Sequence, residues 1–351
     1  MGVKKEHKQL SSSEIAVFCT QIGMILKAGI SLREGMAAIC ADMQEGQIKD
    51  ALKLVDEQIQ QGAPLEKAME SAGIFPDYVV HMTAIGDATG KLEQVMGSLA
   101  QYYEREQALR GRLRSAVLYP MMLFCMMAAV ILVLVTKVLP VFENIFRQLG
   151  GELGNGAGHL MRFGMIAGRC AFVLMFVIIL AVAASVVMMK TKKGRAFFQN
   201  LSSKSPFTRK LSEKIASRRF ASAMALMLSS GMNIDEAFEF TIGVLGDETA
   251  AKRVADSRKR IQAGASFSDA LEQAGVFPEL FSRMVNIGFK TGSVDQVMDK
   301  LADLYEEDID TSIANITSVI EPVLVGILSV IIGAILISVM LPLTGIMSSI
   351  G

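Results

Sequence analysis

The stretch that decides the fold is IGDATGKLEQVMGSLAQYYE, Ile85 to Glu104, because it returns as IGFKTGSVDQVMDKLADLYE, Ile287 to Glu306. Eleven of twenty positions are identical, and no gap is needed. Outward from there, at the same offset of 202, GAPLEKAMESAGIFP at Gly62 to Pro76 pairs with GASFSDALEQAGVFP at Gly264 to Pro278. The register holds into apolar sequence, where Tyr119-Pro120 meets Glu321-Pro322 and Leu139-Pro140 meets Leu341-Pro342. The repeated unit is a polar segment together with the hydrophobic segment that follows it.

Hydrophobic residues make up 51% of the chain and charged residues 20%, too apolar a mixture for an ordinary soluble protein of 351 residues. Ala116 to Val135, Cys170 to Met189 and Val323 to Pro342 each lack a formal charge. About twenty apolar residues, rising ~1.5 Å each, cross a ~30 Å hydrocarbon core. Arg105, Arg110, Arg112 and Arg114 crowd the entrance to the first stretch, and Lys190, Lys192, Lys193 and Arg195 crowd the exit of the second. Lys/Arg density at span ends marks the cytoplasmic side, so the N-terminus is expected inside and the C-terminus outside. The middle stretch has no counterpart in the repeat; it returns the chain to the cytoplasm and keeps the two units parallel. The N-terminal region does not read as a secretory signal, since Ser11 to Ser13, Glu14 and Gln21 interrupt its apolar run.

Both polar segments carry helical punctuation. Phe18, Ile22, Ile25 and Leu26 recur as Phe220, Met224, Met227 and Leu228, one face of a helix. Gly29 and Gly231 follow where a helix ends, and Ser31 with Glu34 and Asn233 with Glu236 are placed to cap the next helix. GIFP and GVFP close one helix and open another. Gly86 and Gly90, with Gly288 and Gly292, form a last turn before a long helix that heads for the membrane. Pro120 and Pro322 are expected to kink or restart these helices.

These residues resemble a known family. Phe-x(7)-Leu-x-x-Gly, then Gly-x(5)-Ala, Phe-Pro, Gly-x-x-x-Gly before a long helix, Tyr-Pro at the membrane and Leu-Pro beyond it are similar to the type II secretion system F family. Almost the whole chain takes part. The resemblance implies an all-α, polytopic membrane protein with two duplicated cytoplasmic bundles of six helices each and three transmembrane helices. It implies a homo-oligomeric, non-enzymatic platform in the bacterial inner membrane, among other inner-membrane components of a type II secretion, type IV pilus or competence-pilus machine. Its partners would be a cytoplasmic assembly ATPase and pilin or pseudopilin subunits. The second copy departs from the family's Gly-Glu turn, having Gly288-Phe289.

The expected boundaries are a first cytoplasmic domain at 11–114, a membrane helix at 115–139 and an external loop at 140–163. A second membrane helix follows at 164–189, then a basic linker at 190–212, the second domain at 213–316 and the third membrane helix at 319–347. The rival reading is a small secondary transporter or a membrane receptor built from parallel repeats; transporters usually have more spans and midplane breaks.

No pattern of catalytic or cofactor chemistry stands out. GDATGK at Gly86 to Lys91 has three residues between its glycines where a phosphate loop has four, and lacks the Ser or Thr after lysine. His7, His81 and His159 lie apart, and Cys19, Cys40, Cys125 and Cys170 show no paired spacing, so no metal, cofactor or disulfide is expected. The net charge of +0 argues against direct nucleic-acid binding. The candidate interaction residues are charges near the membrane. Arg110, Arg112 and Arg114 precede the first span and suit either lipid headgroups or acidic partners. Asp303, Glu306 and Asp310 lie on the matching acidic helix, and Glu321 stands at the mouth of the third span. The two helices are expected to pair by charge, within the chain or between subunits.

Overall fold

The computed structural model describes residues 9–42, 47–138, 140, 141, 144 and 206–350. The expected second span at 164–189, the loop before it and most of the basic linker lie outside the described residues. Within the described residues the chain is helical, without a strand.

The first copy contributes α1 (Ser12–Lys27), α2 (Leu32–Asp42), α3 (Gln47–Gln60), α4 (Leu65–Ala72), α5 (Asp77–Ala88) and α6 (Leu92–Val133), with a π-helical segment at Leu134–Val138. The second contributes α7 (Pro206–Ser229), α8 (Ile234–Val244), α9 (Glu248–Gln262), α10 (Phe267–Gln273), α11 (Glu279–Thr291) and α12 (Val294–Ile350). The bounds of α2 and α8 differ by 202 at both ends. Local chemistry accounts for the breaks. Ser11 accepts from the Glu14 amide at 3.4 Å while the Glu14 carboxylate takes the Ser11 amide at 2.6 Å, a reciprocal cap on α1. Asn233 caps α8 through the Asp235 amide at 3.2 Å. Pro76 and Pro278 sit at the N-caps of α5 and α11, extended, one position ahead of the first turn. The last turn before each long helix is built the same way twice. Gly90 and Gly292 take φ of 66° and 70°, and the Lys91 and Ser293 amides return to the Gly86 and Gly288 carbonyls at 2.8 Å.

Contacts divide the chain into two compact units. The first joins residues up to Gly111 with Pro206–Asp310, so both polar segments belong to one unit with one continuous core. The repeat is visible inside that core: Phe18 packs on Phe75 with centroids 4.9 Å apart, and Phe220 on Phe277 at 5.6 Å. All four rings are 4% exposed or less, and each such burial is worth about 2 kcal/mol. Behind Gly86 and Gly288 stand Val95 and Val297, so close that an added Cβ would meet them at 3.0 and 2.7 Å.

The second unit holds, among the described residues, the apolar part of α6 and of α12. Met127, Ile131 and Leu324 bury one another there, flanked by Leu123, Ile320 and Leu328. Both helices are long and apolar enough to cross a membrane, and little of their most apolar windows, 11% and 12%, is buried. A soluble core helix would be mostly covered; Met122, Met126, Val319 and Val330 instead point outward. The α6 helix runs on through Pro120 without interruption.

Candidate interaction site

Charge concentrates where three helices of the first unit meet. From α6 comes Glu106, only 4% exposed; from α7 come Arg218, wholly buried, and Arg219; from α12 comes Glu306. Arg218 bridges the two acids, its Nη1 donating to Glu106 at 3.4 Å and its Nη2 to Glu306 at 3.3 Å. Arg219 donates to Glu106 through Nε at 3.3 Å and through Nη2, and caps the Leu245 carbonyl at 3.2 Å. Arg110, one turn on, adds its Nε to the same carboxylate at 3.4 Å. Burial, helped by the Glu106 charge, pushes the neighbouring Tyr102 hydroxyl up to about 12. The Arg218 Nε has no hydrogen-bond partner among the described residues.

A second pairing lies toward the N-terminal ends of α6 and α12. Arg105 reaches Asp299 at 3.3 Å and Asp303 at 3.2 Å. Beside it opens a cavity of about 200 Å³, lined in part by Gln101, Arg105, Ser222, Ser229, Asp295 and Asp299. These wet pairs are worth at most ~1 kcal/mol each, whereas removing one partner of a buried pair costs about 3–5 kcal/mol. The weight of the site therefore lies on Glu106 and Arg218.

Of the charges singled out in the sequence, Asp303 joins Arg105 and Glu306 joins Arg218, while Arg110 turns to Glu106 on its own helix. Arg114, Asp310 and Glu321 are exposed, and Arg112 is half-buried. Sequence reasoning passed over Glu106, Arg218 and Arg219. A signal existed, since Arg218-Arg219 stand where the first copy has Ala16-Val17.

The Gly90 and Lys91 amides of the phosphate-loop-like stretch are spent on the carbonyls of Asp87 and Gly86, at a helix C-terminus. Burial pushes the Cys19 thiol up to about 12. Among the described residues no three His, Cys, Asp or Glu side chains are placed to hold a metal ion.

A repeated helical unit ending in a membrane-length helix defines a class, and comparison with known proteins gives it a family. The model of the family "Type II secretion system (T2SS), protein F" matches residues 18–140 and again 220–342, two segments set 202 apart. The chain belongs to that family. It is 31% identical over 331 residues to the type IV pilus assembly protein PilC of Thermus thermophilus, covering 94% of this chain and 82% of that one. The PilC of Myxococcus xanthus is 28% identical over 335 residues, covering 95% of this chain and 80% of that one. The type II secretion system protein F of Aeromonas hydrophila is 25% identical over 339 residues, 95% of this chain and 86% of that one.

Proposed function

We propose that this protein is the inner-membrane platform of a type II secretion or type IV pilus-like machine. It is not an enzyme: it couples the motion of a cytoplasmic assembly ATPase to the polymerisation of pilin or pseudopilin subunits. The observation that carries the reading is the double family match, each copy of which runs from a polar helical segment into an apolar helix. A helix that continues unbroken from Leu92 to Val133 is a mechanical link, because turning its polar end turns its apolar end. In this reading the two copies are cytoplasmic helix bundles, the chain crosses the membrane three times, and the N-terminus lies inside and the C-terminus outside. Arg114, exposed, with Arg112 would then face lipid headgroups, and the exposed acids Asp310 and Glu321 would face machine partners.

Deleting the gene should abolish assembly of the host's pili or pseudopili and leave pilin in the membrane, with full recovery on complementation. The tagged protein should also retain the assembly ATPase on purification from membranes. Filaments assembled at wild-type level in the deletion strain would overturn the proposal.

A further inference from the structure

Among the described residues of the first unit, the ring contact and the ion pairs between the two copies join surfaces that are not equivalent. His81 of α5 stacks on Phe240 of α8, with ring centroids 3.8 Å apart. Arg105 of α6 reaches Asp299 and Asp303 of α12, and Glu106 reaches Arg218 and Arg219 of α7. So the α5/α6 face of the first copy sits on the α7/α8/α12 face of the second. A joint of this kind uses one face of each copy and leaves the other open.

The open faces follow by shifting each residue by 202. His81 and Phe240 become Arg283 and Ala38; Arg105 with Asp299 and Asp303 becomes Glu307 with Gly97 and Gln101. All of these are exposed, although Gln101 also lines the cavity at the edge of the internal joint. The apolar surface divides the same way. On α1, Val17 and Met24 are 54% and 65% exposed, while Leu226, the counterpart of Met24, is 5% exposed and lines the cavity against α6. On α11, Leu280 and Ile287 are 67% and 62% exposed, while Tyr78, the counterpart of Leu280, is 6% exposed. Large apolar side chains left in water on faces whose duplicates are covered mark an interaction surface.

We propose that the two open faces bind each other between copies of this chain. The α11/α12 face of one copy seats on the α1/α2/α6 face of the next, repeating the joint inside the chain. The internal joint identifies the occupant, since it shows what covers this face of a T2SS protein F repeat: the penultimate and pre-membrane helices of another repeat. The copied joint lacks the arginines, because Ala16 and Val17 replace Arg218 and Arg219. It rests on apolar area, and can open without stranding a buried charge. Being head-to-tail, it adds copies until a ring closes or an open array forms. The inference goes beyond the platform reading and stands whichever filament the protein serves.

The test uses full-length chains in membranes, with Cys125→Ser and Cys170→Ser as background. Two differently tagged chains, one Arg283→Cys and the other Ala38→Cys, are co-expressed and oxidised. The expected product carries both tags, and exceeds that from either cysteine paired with itself by roughly tenfold. Met24→Glu, at a position too exposed to disturb the fold, should cut the mixed product by a similar factor, since it buries a carboxylate against apolar side chains. A like-with-like product that dominates, the absence of a mixed product, or indifference to Met24→Glu would each overturn the proposal.

Discussion

Helix α1, Ser12–Lys27, and the last sixteen residues of α7, 214–229, are the same helix written twice, in opposite surroundings. Their core stripes agree: Ile15, Phe18, Cys19 and Ile22 are buried in one, and Phe220, Ala221 and Met224 in the other. They differ on the remaining face. Glu14, Val17, Gln21 and Met24 are exposed on α1, while Ala216, Ala223 and Leu226 are buried on α7 and Arg219 is held by Glu106. The repeated sequence gives both copies the same helix, and differences at a few positions on one face set which copy is covered. An arginine buried where the first copy has alanine adds little net stability, since desolvation offsets the attraction. What it adds is selectivity: only one pairing of helices gives Arg218 two carboxylates.

The strongest way to break the difference is to remove the arginine. Arg218→Ala opens a cavity beside Glu106, which keeps Arg219 and Arg110, and takes from Glu306 its arginine, and should destabilise the chain by about 3–5 kcal/mol. A thermal scan of the purified protein in detergent reads it, and the triple variant Glu106→Gln, Arg218→Met, Glu306→Gln should recover most of the loss. An unchanged melting temperature for Arg218→Ala would show that the network contributes nothing. A matched pair sharpens the comparison. Leu226→Ala should cost about 2–5 kcal/mol as a buried truncation, and its counterpart Met24→Ala less than about 0.5 kcal/mol in dilute detergent, where copies are apart. Equal losses would mean that α1 is covered within the chain after all.

The smallest effect concerns a pair whose signs are exchanged between copies. In the second, Arg258 grips Asp235 with bonds of 2.9 and 2.8 Å, and Gln262 adds a third of 2.9 Å. The corresponding residues of the first copy are Asp56, Arg33 and Gln60, with Gln60 bonded to the Arg33 carbonyl and to Asp56. Hydrogen bonds from Arg258 and Gln262 hold the Asp235 carboxyl down at about 2, below its ordinary 3.8. Its contribution is therefore complete above the ordinary value and is lost as pH falls through it toward about 2. Asp235→Asn should flatten the acid side of the stability profile slightly, and salt should erase the difference between variant and parent because the pair is exposed. A profile identical to the parent at low salt would rule the pair out as a contributor.

The helices were legible because their signals are local. A cap such as Ser11 with Glu14, or a turn such as Gly90, spans a few residues, and the repeat states each one twice. The joint between the copies was not legible, because it depends on which of many like charges meet across long separations. The contrast between a basic α6 and an acidic α12 pointed to the right helices; the partners of Asp303 and Glu306 turned out to be Arg105 and Arg218. Periodicity read α7 by its core stripe and said nothing of its second face, where the difference between the copies lies.

The bridge between Glu106 and Arg218 also sets an order in time. The two residues are separated by 112 positions, with the first two apolar stretches between them. At ~5–20 residues per second, synthesis makes the acid about 6 to 22 s before its partner arginine. Through that interval the first half presents a carboxylate paired with the exposed Arg110 but without the two α7 arginines that cover it, so its α6 face stays hydrated. Only when α7 emerges can that face dehydrate. This face of the first half is thus completed only after the second has begun, and a chain cut short between them leaves Glu106 without Arg218 and Arg219.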